Sequence, residues 1–106
     1  MPKQDWEYLT VWEFQVKPGQ EGQFEKTYGS DGAWAQLFRR AEGYLGSELV
    51  RDLDRARRYL TLDFWTSRSA YERFSQENGS EYRALDEQCE QMTESEVQIG
   101  GYERAR

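Results

Sequence analysis

Asp63 and Trp65 stand two residues apart in the run Arg58-Tyr59-Leu60-Thr61-Leu62-Asp63-Phe64-Trp65. Strand alternation puts both on one face, together with Thr61. An acid on a face expected to be buried needs a partner. An Arg from the same sheet or from a second subunit would supply one. A carboxylate held in a dry site without one can accept a proton. Tyr71 follows six residues after Trp65 at the start of a helical pattern, with Phe74 on the same face. Tyr28 and Trp34 come from an earlier aromatic helical stretch. Such rings can wall an apolar pocket, with Tyr hydroxyls and Trp N–H groups as donors inside it. The chain has no histidine and one cysteine. No nucleophile–base pair, phosphate-binding loop or hard-metal loop is present. Cys89 lies on an apolar stripe with Tyr82, Leu85 and Met92 and reads as a small core residue.

The elements that position these residues follow from periodicity. Tyr8 to Val16 alternates as a strand, with Tyr8, Trp12, Phe14 and Val16 on one face and Leu9 and Val11 on the other. Pro18-Gly19 ends it. A helix is expected from about Gln20, carrying Phe24 and Tyr28. The sequence Gly29-Ser30-Asp31-Gly32 breaks it. Ser30 or Asp31 can cap a second piece with Trp34, Leu37, Phe38 and Ala41. Gly43 closes that piece, Tyr44 to Asp52 reads as a second strand, and Asp52 to Arg57 as a polar hairpin. Arg58 to Trp65 is the third strand, and Thr66 or Ser67 caps the next helix. Asn78-Gly79 interrupts that helix before Ser80 restarts it, and Ser95 to Tyr102 closes the chain as a fourth strand. The order βαββαβ is the ferredoxin-like unit, an α+β fold with an antiparallel sheet and helices on one face. Leu60, Leu62 and Phe64 form an all-apolar face suited to the helices. Thr61, Asp63 and Trp65 are then expected on the uncovered side, which a second sheet would bury.

A chain of 106 residues fits one domain, 1–106, with its core at about 8–102. The four Trp, seven Tyr and five Phe are many for so polar a chain. One layer of helices would struggle to cover them, so either the second sheet face meets a partner or several rings line a cavity. The net charge of -6 and the scattered arginines argue against nucleic acid. No apolar run approaches the roughly 20 residues of a membrane span. The start Met-Pro-Lys-Gln-Asp-Trp carries no export signal, which places the protein in the cytoplasm.

Trp12-Glu13-Phe14-Gln15-Val16-Lys17-Pro18-Gly19, Gly43-Tyr44-Leu45-Gly46 and Arg58 through Ser67 resemble the antibiotic biosynthesis monooxygenase (ABM) domain family. The resemblance runs from about Tyr8 to Tyr102. It implies a homodimeric α/β barrel in which two sheets meet. It also implies that Trp65 matches the strand Trp that lines the pocket in the phenol-oxidising and haem-degrading branches, and that Tyr71 matches a pocket Tyr. Thr61 stands where the phenol-oxidising branch places an Asn, so that amide is lost here. The haem-degrading branch uses a helix His as iron ligand, and this chain has none.

The expectation is therefore a cofactor-independent monooxygenase, with no metal or other cofactor, acting on an aromatic phenol or hydroquinone-like molecule. Asp63 and Tyr71 are the expected catalytic residues, and Trp65, Tyr28, Trp34, Thr61 and Phe74 the expected substrate-binding ones. The alternative is a non-catalytic dimeric module that binds a small molecule with the same fold.

Overall fold

The computed structural model describes residues 5–106. Met1–Gln4, part of the start read above as lacking an export signal, lies outside the described residues. Strand β1 (Tyr8–Val16) has the expected bounds and ends at the Pro18-Gly19 turn, where Gly19 takes φ +83°. The bent helical segment is α1 (Glu21–Tyr28) followed by α2 (Ala33–Phe38). Neither Ser30 nor Asp31 caps α2, contrary to expectation. Gly32 takes that position without a side-chain hydrogen bond. A Cβ at Gly32 would fall 2.1 Å from the Thr27 carbonyl oxygen, so the chain turns too close to α1 for any side chain. Asp31 instead pairs with Arg39 at 2.9 Å.

Strand β2 (Tyr44–Arg51) and strand β3 (Arg58–Trp65) form a hairpin. Asp52 holds its connection together: its Oδ1 accepts from the backbone N–H groups of Asp54 and Arg55, and its Oδ2 accepts from Arg58. The Ser67 Oγ accepts from the Ala70 N–H and starts α3 (Arg68–Glu77), as a side-chain cap should. Asn78 separates α3 from α4 (Gly79–Cys89). A short 3-10 turn, Glu90–Met92, leads into β4 (Thr93–Glu103), which extends beyond the expected Ser95–Tyr102 at both ends. All neighbouring strands run antiparallel in the order β2-β3-β1-β4. This is the ferredoxin-like βαββαβ arrangement.

The helices lie on the opposite face of β3 from the one expected. Tyr59, Thr61, Asp63 and Trp65 are buried beneath them, whereas Leu60, Leu62 and Phe64 lie half-buried on the uncovered side. The reason is register. Tyr8 pairs with Trp65 and Phe14 with Tyr59, so β1 and β3 must turn their largest rings to the same side. That side also carries Val16 and faces Phe24, Tyr28, Trp34, Phe38 and Phe74 from the helices. Matching large rings against large rings removes more surface from water than matching leucines would. The two polar residues, Thr61 and Asp63, are carried beneath the helices as a consequence.

Candidate functional site

Between the sheet and the helices lies a cavity lined by aromatic rings and carboxylates. Its empty space is about 450 Å³ with the mouth included, and the part that water-sized molecules can occupy is about 40 Å³. At roughly 10–15 Å³ per water centre, that is room for about three waters, so an aromatic ring, which needs a cavity of roughly 150 Å³, must also occupy the mouth. Trp12 and Phe14 from β1, Tyr28 from α1, Trp34 and Phe38 from α2 and Tyr82 from α4 form the walls. Ser47, Thr61 and Asp63 form a polar floor on the sheet, and Ala35, Asp86 and Glu96 complete the lining.

Asp63 is 8% exposed. Its expected Arg partner is replaced by hydroxyls: the Ser47 Oγ donates to Oδ1 at 2.6 Å and the Thr10 Oγ1 to Oδ2 at 3.4 Å. Burial pushes the Asp63 carboxyl up from 3.8 to about 6, with those two hydrogen bonds pulling it partway back. A carboxyl with a pKa near 6 exchanges protons readily at neutral pH. The Tyr44 hydroxyl lies 2.6 Å from the Ser47 Oγ. With Ser47 donating to ionised Asp63, Tyr44 donates to Ser47, and a chain of hydroxyls runs from half-buried Tyr44 to the floor. Burial also pushes the Tyr44 phenol up to about 12, so it stays a donor.

A β-bulge builds this chain. Residues three apart on a regular strand face opposite sides. The register of β2 on β3 slips between Tyr44 and Gly46, so Tyr44 and Ser47 reach the same face. Gly46 sits at φ +135°, which side-chain-bearing residues rarely adopt. Gly46→Ala is therefore expected to cost about 1–3 kcal/mol, read by denaturant melts, and to loosen Ser47 from Asp63.

Four of the expected site residues come together here: Asp63, Thr61, Tyr28 and Trp34. The other three do not line the cavity. Trp65 has no exposed surface and packs against Phe38, Tyr44, Tyr71 and Phe74 at ring separations of 5.3–5.7 Å. Tyr71 is half-buried behind it, beside Tyr8, and its phenol is pushed up by burial. Phe74 belongs to the core under α3. Sequence reasoning missed Ser47, Tyr82, Asp86 and Glu96. Two signals were available: Tyr82 and Asp86 are four apart on one face of α4, and Glu96 pairs opposite Phe14 and so points to the helix side.

A ferredoxin-like sheet with an aromatic, acid-floored cavity beneath its helices defines the structural class. The sequence profile of antibiotic biosynthesis monooxygenases matches residues 8–96, and the chain belongs to that family. No curated protein matches the sequence. Among solved structures, a mutant of SnoaB, a cofactor-independent oxygenase from Streptomyces nogalater, is similar at 20% identity and TM-score 0.69, with 94% of each chain covered. A candidate antibiotic biosynthesis monooxygenase from Deinococcus radiodurans gives 15% identity and TM-score 0.70 over 93% of each chain. Another from Bordetella bronchiseptica gives 24% identity and TM-score 0.67, covering 95% of this chain and 99% of its own.

Proposed function

We propose that the chain is a cofactor-independent monooxygenase that oxidises a single-ring phenol or hydroquinone, with Asp63 as the proton acceptor. The observation that carries this reading is a nearly buried carboxyl, raised to about 6, on the floor of an aromatic cavity and without a cationic partner among its hydrogen bonds. The balance needs no added reductant: a hydroquinone and dioxygen give a hydroxyquinone and water, and the ring supplies all four electrons. The protein's task is to hold the ring, exclude water and take the phenolic proton. A phenol near 10 and an acid near 6 differ by about 4 pKa units, so the transfer is uphill by about 5 kcal/mol. Rapid reaction of the phenolate with oxygen would draw it forward. Asp63 and the ring-bearing walls Tyr28 and Trp34 act directly in this scheme. Trp65, Tyr71 and Phe74 act from behind by fixing the floor. Oxygen consumption with a panel of single-ring phenols and hydroquinones tests it. Ligand binding without oxygen uptake across the panel would leave a binding module of the same fold.

A homodimer belongs to the same proposal. Leu9, Val11, Leu60, Leu62 and Phe64 share the uncovered sheet face with Val97, which is 56% exposed, and Ile99, 43% exposed. A contiguous apolar face of that kind is costly in water. Pairing two copies through it would bury about 1,200–2,000 Å². Light scattering at micromolar concentration is expected to give the mass of two chains; a monomer alone would sink this part of the reading.

A further inference from the structure

The lining of the cavity is unusual in its charge. Three carboxylates, Asp63, Asp86 and Glu96, reach it from three different elements, and among the described residues no lysine or arginine lines it. Among the described residues no three acids, cysteines or histidines come together as metal ligands, so the acids are not arranged to hold a metal ion. Asp86 on α4 and Glu96 on β4 instead sit close enough that the charge of Asp86 works against the ionisation of Glu96, after burial the largest cause of its raised pKa. Two facing acids are stabilised by a shared proton or by a cation between them. The remaining walls are the faces and edges of six aromatic rings, with Trp34 against Tyr82 at 4.9 Å and against Tyr28 at 5.9 Å. Such faces attract cations, most strongly where water is excluded. Trp34 itself is 8% exposed, so its ring is almost wholly withdrawn from water.

We propose that the cavity selects a single-ring phenol bearing a protonated amine, the ring held among Trp34, Tyr28 and Tyr82 and the ammonium held by Asp86 and Glu96. This rests on the reading above that the cavity is the ligand site, and it names the class of ligand. The negative lining concentrates an organic cation and disfavours an anion. The ammonium also offsets the charge of a phenolate formed over Asp63, which the acids alone would oppose.

Three closely related probes separate the possibilities: tyramine, para-ethylphenol and para-hydroxyphenylacetate carry the same ring with a positive, neutral and negative side chain. Titration calorimetry on the purified chain is expected to rank them in that order, tyramine binding on the order of tenfold more tightly than para-ethylphenol. The double variant Asp86→Asn with Glu96→Gln should erase most of that margin, and para-ethylphenol on the same variant reports whether the cavity is still formed. If the variant does not fold, the wild-type ranking decides alone. Equal affinities, an anion bound most tightly, no tyramine binding at millimolar concentration, or an amine preference that survives in a folded double variant would each overturn the proposal. Oxygen uptake is measured separately. Uptake with hydroquinones but no amine preference removes this inference and leaves the monooxygenase reading. An amine preference without uptake supports this inference and removes the other.

Discussion

Asp63→Asn is expected to lower oxygen uptake by about 10²–10⁴-fold, the range over which a positioned proton acceptor contributes. The amide keeps the shape of the carboxyl and can still be held by Ser47 and Thr10, whose hydroxyls rotate to accept as well as donate. It cannot take a proton. The fold should survive, and the stability difference between the two proteins should depend on pH in a defined direction. The folded-state pKa of Asp63 lies above its unfolded value, near 6 against 3.8. Between those values the folded chain holds a proton that the unfolded chain has released, so stability falls as pH rises through this window and levels off above about 6. Asparagine has no such dependence. Relative to wild type, Asp63→Asn should therefore gain on the order of 2 kcal/mol between pH 4 and pH 7. Denaturant melts of both proteins at the two pH values check it. A variant that loses activity and shows no relative gain would mean that Asp63 is not held as a strained, nearly buried acid. A variant that keeps full uptake would remove it from the chemistry.

Much of this architecture was legible in residue spacing. The bounds of β1 and β3, the break between α1 and α2 and the Ser67 cap follow from alternation, glycine placement and a hydroxyl at a helix start. Alternation alone does not say which face of a strand is covered when both faces hold apolar residues. Leu60, Leu62 and Phe64 look like a core stripe, and only their pairing with β1 shows that Tyr59 and Trp65 must join Tyr8 and Phe14. Once that face is known, Asp63 moves from a sheet–sheet interface into a cavity within one chain. The cavity was harder to read because its residues come from seven elements and meet only in the fold. Asp63, Thr61, Tyr28 and Trp34 could be named because they interrupt or load a regular pattern. Ser47 could not, because its orientation depends on the bulge at Gly46. Asp86 and Glu96 look like ordinary surface acids, and only their shared position on the cavity gives them meaning.

Trp65→Ala is expected to cost about 3–5 kcal/mol, the range for truncating a large buried aromatic side chain. Trp65 has no exposed surface, and four rings close around it. A domain of this size has roughly 5–15 kcal/mol to lose, so the variant should be marginal at room temperature and unfolded well below the wild-type melting point. Ligand affinity, measured on the fraction that remains folded, should change little, because Trp65 does not line the cavity. Trp34→Ala should show the opposite balance, with a larger loss of binding for a smaller loss of stability. Trp65→Phe separates packing from polarity. The Trp65 Nε1 is buried without a hydrogen-bond partner, and removing that donor relieves an unmet desolvation cost of about 1–3 kcal/mol. Phenylalanine leaves a smaller void than alanine, so the two effects partly cancel and Trp65→Phe should lose far less than Trp65→Ala. Denaturant melts beside a binding titration read all three variants. If Trp65→Ala were instead to abolish binding with little change in stability, Trp65 would be a wall of the site and the cavity would have to open toward α3 in solution.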